Sequence, residues 1–401
     1  MSVGKAVIAG CGIAGPAAAL ALQKIGMEAT IYEAYETAAH DVGSFMTLAT
    51  NGLDGLRTLG VHEAVTAIGT PTQKMALFSG SGKRLGEIGN GVELPDGTVN
   101  HTIKRAELYS VLADEAQRRG IRIEYGKRLI DVEQRPNGVV AKFADGSEAE
   151  GSLIIGADGV HSRVRQLVDR NAPKPRYVGL VGTGGQASGL ELAPMPNEFY
   201  MAFGKRAFWG HFVRGDGTVL WFANLPWANE PSREELRALS PGEWKRRLLD
   251  LFREDRTPAH RILAATEDFD APMPIYDMDP PENWHRGRIV LIGDAAHVTS
   301  PSSGQGASLA IEDALILAQC LRDRAELSQA FAAYQQLRHE RVRKTLKSAR
   351  RINNSKAAGP IGRAVRDALF PIVLRLASKS MENPWLHHYH IDFERPIDET
   401  V

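Results

Sequence analysis

The N-terminal segment carries the pattern that most restricts how this chain can fold. An apolar strand over residues 5–9 runs directly into the turn Gly-Cys-Gly-Ile-Ala-Gly at 10–15, and an alanine-rich helix follows. Gly10 permits a tight turn, Gly12 lets the backbone approach a pyrophosphate, and Gly15 allows the helix to pack closely on the strand. The pattern predicts a βαβ unit that begins at a dinucleotide-binding turn, although a glycine turn can also be purely structural.

An acidic residue stands where such a unit would need one. The next strand, over residues 29–33, ends in Glu33, which follows Gly15 by 18 residues. A carboxylate at this place accepts hydrogen bonds from the hydroxyl groups of a ribose. Because an acid repels a 2′-phosphate, Glu33 favours an unphosphorylated ribose and disfavours NADP at this particular site. Strand, turn, helix and acid together predict a dinucleotide site.

Two Gly-Asp elements follow further along the chain, each after an apolar strand. The first is Gly-Ala-Asp-Gly at 156–159, where Asp158 can accept from a sugar hydroxyl. The second is Gly-Asp-Ala-Ala-His at 293–297, where Asp294 can do the same, and a Pro/Ser/Gly turn at 301–306 then leads into a helix. The glycines of this turn permit close approach of a flat ring, and the helix start offers partial positive charge.

Other charged residues near the last element are interpreted as structural. His297 and Ser302 are expected to have structural roles, and Glu312 and Asp313 are interpreted as acids near a helix start rather than as catalysts. The basic run from Arg338 to Arg351 is expected to form a solvated helix face. The histidines, like the two cysteines, lack metal-ligand spacing, so we expect no metal site.

Composition excludes several classes of protein. The 401 residues contain 48 Lys and Arg and 48 Asp and Glu, a balance that argues against a general nucleic-acid binder. Two cysteines cannot form a disulfide framework, which fits a reducing cytoplasm. No basic leader with an apolar core precedes the first strand, and no apolar run reaches the roughly 18 residues of a membrane span. We therefore expect a cytoplasmic protein without an integral membrane segment, either a monomer or a homodimer.

The alternation of strand types predicts an α/β fold with interleaved domains. A Rossmann-like nucleotide-binding domain takes residues 1–73, 99–172 and 273–321. A mostly antiparallel β-sheet domain takes residues 74–98 and 173–272, and residues 322–401 form a C-terminal helical region. Helical patterns predict helices over residues 105–118, 233–253, 307–353 and about 360–380, and an apolar run predicts a strand over residues 198–203. A cleft between the two domains is the expected ligand site.

The β-sheet domain supplies the candidates for binding a substrate. If residues 206–214 form a strand, Trp209 and His211 share one face, while Phe208 and Phe212 share the other. An aromatic face with few polar groups suits a hydrophobic or aromatic small molecule, but the same residues can equally fill the core of the sheet. The candidate substrate residues are Tyr200, Trp209, His211, Trp221 and Asn224.

The three motifs, in this order, resemble those of the class A flavoprotein monooxygenases, which share the fold of p-hydroxybenzoate hydroxylase and salicylate hydroxylase. The resemblance runs from Lys5 to about Leu321. It departs from the family at Ser308, where many relatives have Asn. The resemblance implies that FAD is the cofactor and that it is bound by Gly10, Gly12, Ile13, Ala14, Gly15, Glu33, Arg105, Asp158, Asp294, Pro301, Gly304, Gln305, Gly306 and Ala307.

The resemblance also implies the reaction. NADH or NADPH, as the external electron donor, reduces FAD, O2 reacts to form a flavin C4a-hydroperoxide, and one oxygen hydroxylates an aromatic or polyketide-like small molecule. No side chain is assigned a catalytic role, because the cofactor is the reactive group. Two alternatives stay open, namely a flavin oxidoreductase without oxygen insertion, such as an isoprenoid-type reductase, and a non-catalytic flavin-binding protein. A flavin-dependent halogenase is disfavoured because no Trp-x-Trp-x-Ile-Pro segment occurs.

Overall fold

The computed structural model describes residues 4–37, 44–193, 195–356, 367, 369 and 384–398. Within this part of the chain the strands are β1 (Lys5–Ala9), β2 (Glu28–Tyr32), β3 (Phe45–Leu48), β4 (Thr70–Pro71), β5 (Lys74–Ser79), β6 (Arg84–Gly89), β7 (His101–Lys104), β8 (Arg122–Glu124), β9 (Leu129–Arg135), β10 (Gly138–Phe143), β11 (Glu148–Gly151), β12 (Leu153–Gly156), β13 (Arg176–Ala187), β14 (Glu198–Phe203), β15 (Phe208–Val213), β16 (Val219–Pro226), β17 (Thr266–Phe269), β18 (Met273–Asp277), β19 (His285–Arg286) and β20 (Ile289–Leu291). The helices are α1 (Ala14–Lys24), α2 (Thr50–Leu59), α3 (His62–Ile68), α4 (Arg105–Arg118), α5 (Arg163–Val168), α6 (Arg233–Arg237), α7 (Pro241–Phe252), α8 (Ala259–Ala265), α9 (Gly306–Asp323), α10 (Leu327–Lys356) and α11 (Pro384–His387).

A six-stranded sheet brings the three sequence motifs together. Its order is β19-β20-β12-β1-β2-β8, and every neighbouring pair except β19 with β20 is parallel. Because a parallel sheet is covered on both faces, β1, β12 and β20 are almost entirely apolar and buried. Their carboxyl ends lie side by side, so Gly10, Ala157 and Ile292 leave the sheet at one edge, where ligands of α/β sheets bind.

An eight-stranded sheet forms the second layer. Its order is β17-β13-β16-β15-β14-β5-β6, with β18 also paired to β13, and most pairs are antiparallel. The exception is β14 with β5, which are parallel and come from distant parts of the chain. One face of this sheet packs against α6, α7 and α8 in an apolar cluster of its own. The other face turns towards β3, which belongs to a small three-stranded sheet with β4 and β7.

The fold class predicted from sequence is confirmed, with two corrections to the helices. Residues 233–253 form two helices rather than one, because Ser240 accepts a hydrogen bond from the Glu243 N–H and Pro241 starts a new helix. The long helical segment from 307 to 353 is likewise split, at residues 324–326. The predicted last helix, at about 360–380, lies almost wholly outside the described residues. The domain boundaries stay a prediction.

Among the described residues, no helix combines the length and the apolar composition that crossing a bilayer requires.

Candidate functional site

In the glycine turn after β1, the packing of the protein leaves no room for a side chain at two of the three glycines but leaves room at the third. Gly10 has φ +104°, and a Cβ there would collide with the Ala157 carbonyl oxygen. A Cβ at Gly15 would collide with the carbonyl oxygen of Gly10. A Cβ at Gly12, by contrast, would meet no heavy atom within 4 Å. The protein's own packing therefore does not explain Gly12, and the open space beside it fits a backbone approach to a pyrophosphate.

Glu33 organises the same turn. Its Oε2 accepts a hydrogen bond from the Cys11 N–H at 2.7 Å, and its Oε1 accepts from the Tyr35 N–H at 3.0 Å. Ile13 is the N-cap of α1 and Ala14 its first residue, so the helix starts directly at the turn. Glu33 is predicted from the sequence to accept hydrogen bonds from a ribose, and in the structure its carboxylate also holds the turn in place. The ribose contact stays a prediction.

The second motif is held together by its own aspartate. Asp158 accepts hydrogen bonds from Ser162 Oγ at 2.5 Å and from the N–H groups of Arg163 at 2.7 Å and Val164 at 3.0 Å, so it caps the start of α5. These bonds account for Asp158 without a ligand. Arg165 extends from α5 and donates to the carbonyl oxygens of Val160 and of Ala295, which ties the second motif to the third.

Asp294 of the third motif differs from Asp158 in the partners of its carboxylate. Among the described residues no protein donor forms a hydrogen bond with it. Burial raises the pKa of Asp294, while the positive charges of His297, Arg105 and Arg165 oppose that rise. Arg105 is the first residue of α4, and its exposed guanidinium shares this edge with Asp294. An available carboxylate of this kind fits a ligand that carries hydroxyl groups.

The loop before α9 lies next to Asp294. Pro301 is exposed, Gly304 has φ +62°, and Gln305 is the buried N-cap of α9. The helix begins at Gly306 and Ala307, whose first-turn N–H groups have no partner within a helix. These donors and the helix dipole form a place for negative charge.

Ser308, where the sequence departs from many relatives, is fully buried where α9 meets α2. Helix α2 approaches α9 so closely that a Cβ on Gly52 would lie 2.5 Å from Ser308 Oγ. The contact between the two helices thus favours glycine at position 52.

A buried ionic network behind the loop is the main feature that sequence reasoning missed. Asp313 accepts hydrogen bonds from His297 Nε2 at 2.6 Å, from the Gly293 N–H at 2.8 Å and from Arg338 Nε at 2.7 Å. Burial alone would raise the pKa of Asp313, but His297 and Arg338 outweigh burial and hold that pKa at about 2. The interpretation of Arg338 as part of a solvated face is wrong, because its side chain is completely buried.

Glu312 extends this network to the loop and to the C-terminal segment. Its carboxylate accepts from Arg341 Nε at 2.7 Å and from Asn51 Nδ2 at 2.6 Å. The same Asn51 nitrogen donates to Gln305 Oε1 at 3.0 Å, while Arg341 also donates to the carbonyl oxygens of residues 385 and 386. Helix α10 and the C-terminal segment thus fix the position of the loop before α9. The sequence shows two adjacent acids, Glu312 and Asp313, and a later helix rich in arginine. It does not show that the two helices pack together.

Four of the five predicted substrate residues lie on the face that packs against helices. Trp209 and Trp221 are completely buried and stack with ring centroids 5.0 Å apart. Trp209 Nε1 donates to His211 Nδ1 at 3.0 Å, and burial lowers the pKa of His211 to about 3. Tyr200 stacks between Phe78 and His211 on the same face. These residues fill the core of the sheet domain, which is the alternative that the sequence left open. Their placement does not support a role in binding substrate.

The opposite face of the sheet turns towards β3, and we call it the cleft face. Phe45 of β3 lies over it, with ring centroids 5.7 Å from both Phe199 and Phe222. Of the five candidates only Asn224 lies on this face. Sequence alternation separated the two faces but could not tell which one packs against helices and which one meets β3. The residues of the cleft face on β13 to β16 are Gly182, Gly184, Gln186, Phe199, Met201, Phe203, Phe208, Gly210, Phe212, Leu220, Phe222 and Asn224.

Comparisons with known proteins agree with this geometry. A family model described as an FAD binding domain matches residues 4–349. FAD-dependent urate hydroxylase from Klebsiella pneumoniae is 31% identical over 354 residues, which cover 86% of this chain and 89% of that protein. Aurachin C monooxygenase/isomerase from Stigmatella aurantiaca is 31% identical over 346 residues, which cover 84% of this chain and 85% of that protein.

A solved structure shows the same fold. The crystal structure of Klebsiella pneumoniae HpxO in complex with FAD and uric acid superimposes with a TM-score of 0.81 at 27% identity, covering 93% of this chain and 94% of that one. The open backbone at Gly12, the available carboxylate of Asp294 and the start of α9 fit the same cofactor. The chain therefore belongs to the class A FAD-dependent monooxygenases.

Proposed function

We propose that this monooxygenase hydroxylates an aromatic or polyketide-like small molecule that binds between the start of α9 and the cleft face. The observation that carries the proposal is the aromatic surface formed by Phe45, Phe199 and Phe222 across from the loop at 301–306. Phe45 and Phe222 are partly exposed, as is the neighbouring Met201, so these side chains are available to a flat ligand.

The residues at the carboxyl ends of β1, β12 and β20, which we call the cofactor edge, would divide the binding of FAD between them. Gly10, Gly12 and Glu33 would hold the adenosine and pyrophosphate end, and Asp294 with the start of α9 would hold the ribitol and ring end. When bound, FAD reduced by NADH or NADPH supplies the activation of O2. The N–H groups at the start of α9 favour negative charge beside the ring.

The cleft face would perform the remaining tasks, which are to orient the substrate and to exclude water. Phe199 and Phe212 are buried behind Phe222, so they form a dry wall. Asn224 adds a polar group at the edge of this wall and can orient a substrate hydroxyl or carbonyl. The cytoplasmic location, the choice between NADH and NADPH, and the monomeric or homodimeric state stay predictions.

A substrate screen combined with two variants tests the proposal. Purified protein loaded with FAD is given NADH or NADPH and a panel of phenols and polyketide-like compounds, and the products are analysed for the mass of one added oxygen. Phe222→Ala should raise KM for the accepted compound about tenfold through the loss of aromatic contact, whereas Trp221→Phe on the opposite face should change KM less than about twofold.

Two outcomes would contradict the proposal. Substrate reduction without uptake of oxygen would identify a reductase of the alternative kind. Equal effects of the Phe222 and Trp221 variants on KM would show that the substrate does not bind on the cleft face.

A further inference from the structure

We propose that Asp270 is a substrate-binding residue, whose carboxylate accepts a hydrogen bond from a hydroxyl or N–H group of an uncharged aromatic substrate. The inference rests on the function proposed above and adds the chemical class of the substrate.

The backbone around Asp270 places its side chain on the cleft face. Asp270 lies in the bend between β17 and β18, where its N–H donates to the Gly184 carbonyl oxygen at 2.9 Å and its own carbonyl accepts from Thr183 Oγ1 at 3.0 Å. A Cβ on Gly184 would lie 2.5 Å from Asp270 Oδ2. The carboxylate therefore occupies the space that a side chain at position 184 would otherwise fill.

This position is directly beside the aromatic surface. Gly184 pairs with Phe222 across β13 and β16, and Asp270 lies over Gly184. The hydroxyl of Ser44, the residue before Phe45, converges on the same point of the sheet. A flat ligand that reaches from the Phe222 ring, which lies over Gly210 of β15, across to Gly184 would have one edge next to the Asp270 carboxylate.

The cleft face has no positive charge with which to pair an anionic substrate. The described residues of this face on β13 to β16 are aromatic, aliphatic, glycine or amide residues, and none is ionisable. Lys104 and Arg214 lie near its margin, where the charge of Lys104 acts on the Asp270 carboxylate and Arg214 is paired with Glu107. Lys104 Nζ donates to Gln186 Oε1 at 2.8 Å, and Arg214 donates to Glu107 Oε2 at 3.3 Å and to the Ile68 carbonyl oxygen.

Charge therefore selects the substrate class. A substrate carboxylate in this apolar space would lose its hydration and would be repelled by Asp270, both of which are costly. A neutral hydroxyl or N–H group would instead gain a charge-assisted hydrogen bond. Burial raises the pKa of Asp270, while the Ser44 hydroxyl and the charge of Lys104 oppose that rise. The carboxyl is thus poorly hydrated, and a further donor on the ligand would strengthen its hydrogen bonding.

Three naphthalene probes separate these contributions. 2-Naphthol offers a donor, 2-methoxynaphthalene offers none, and 6-hydroxy-2-naphthoate adds a carboxylate. Dissociation constants are measured on the FAD-loaded protein from the change in the flavin absorption spectrum. Wild-type protein should bind 2-naphthol about tenfold more tightly than either of the other two probes.

Two variants of Asp270 and one control complete the test. Asp270→Ala should weaken 2-naphthol about tenfold and leave 2-methoxynaphthalene unchanged. Asp270→Asn, which keeps an acceptor and removes the charge, should reduce the difference in affinity between 6-hydroxy-2-naphthoate and 2-naphthol, because the repulsion is lost while the cost of taking the carboxylate out of water stays. Asp268→Ala removes an exposed carboxylate two residues away and should bind all three probes as wild type does.

The outcomes distinguish this inference from the proposed function. If the screen yields an oxygenated product but the Asp270 variants bind the probes as wild type does, the proposed function stands and this inference fails. The inference also fails if wild-type protein binds 6-hydroxy-2-naphthoate as tightly as 2-naphthol, or binds 2-naphthol undetectably. If the screen yields no oxygenated product, the proposed function itself fails.

Discussion

Replacing Arg338 with methionine removes the cation that Glu312 and Asp313 share. All three side chains are completely buried, and the guanidinium nitrogens lie 2.7 Å from an oxygen of each carboxylate. Methionine keeps much of the aliphatic volume, so the main effect is the loss of charge pairing. Breaking a buried ion pair by removing one partner costs about 3–5 kcal/mol, against a total stability of about 5–15 kcal/mol. Arg338→Met should therefore lose a large part of the free energy of unfolding.

Urea unfolding of the protein without added FAD measures this loss. Arg343→Met is the matched control, because Arg343 is on the same helix in a solvent-exposed pair with Glu340 at 3.6 Å, and it should change stability by less than about 0.5 kcal/mol. Adding Asp313→Asn to Arg338→Met should recover part of the loss, since it removes one of the uncompensated charges. A loss below about 1 kcal/mol for Arg338→Met would refute the reasoning.

Two further predictions concern the glycine turn and the buried histidine. Gly12→Ala should leave the thermal unfolding temperature of the FAD-free protein within a few degrees of wild type but weaken FAD binding at least about tenfold in a titration. Gly215→Ala, at a position equally open in the structure, should change neither the unfolding temperature nor the FAD affinity. An unchanged FAD affinity of Gly12→Ala would show that the cofactor binds elsewhere. His211 has a pKa of about 3 in the folded protein against about 6.5 when unfolded, so only the unfolded chain takes up a proton as the pH falls below 6.5. Through His211 alone, the free energy of unfolding should be about 2 kcal/mol lower at pH 5 than at pH 7. Urea unfolding of His211→Phe should show a correspondingly smaller change of this free energy with pH, and an equal change in the two proteins would contradict the prediction.

Much of the fold could be predicted from local signals. The strand Lys5–Ala9, the helix Arg105–Arg118 and the strand Glu198–Phe203 have the bounds that apolar runs and periodicity predicted. These signals depend on neighbouring residues, so a single sequence contains them. The break before Pro241 is a local signal too, because Ser-Pro-Gly-Glu at residues 240–243 is a common helix start.

The remaining features depend on how distant elements pack. Alternation along β15 showed that Trp209 and Phe212 lie on opposite faces, but only the assembled structure shows which face meets α7 and which meets β3. Arg338 has the composition of a surface residue, and its burial depends on two acids on α9, a helix that is separate in sequence. Asp270 could not be found because its position relies on the absence of a side chain at Gly184.

The order of strands in the parallel sheet bears on how this protein is made. The three loops that meet at the cofactor edge leave β1 near residue 9, β12 near residue 156 and β20 near residue 291, while the charges that steady the last loop come from Arg338 and Arg341. A growing chain can form the adenosine end of the site early, yet it must be synthesised beyond residue 341 before the ring end is complete. With FAD divided between these loops as proposed above, capture of the whole cofactor is a late event in the synthesis of this chain, and a fragment that stops at the end of the glycine-rich βαβ unit would hold only the adenosine end.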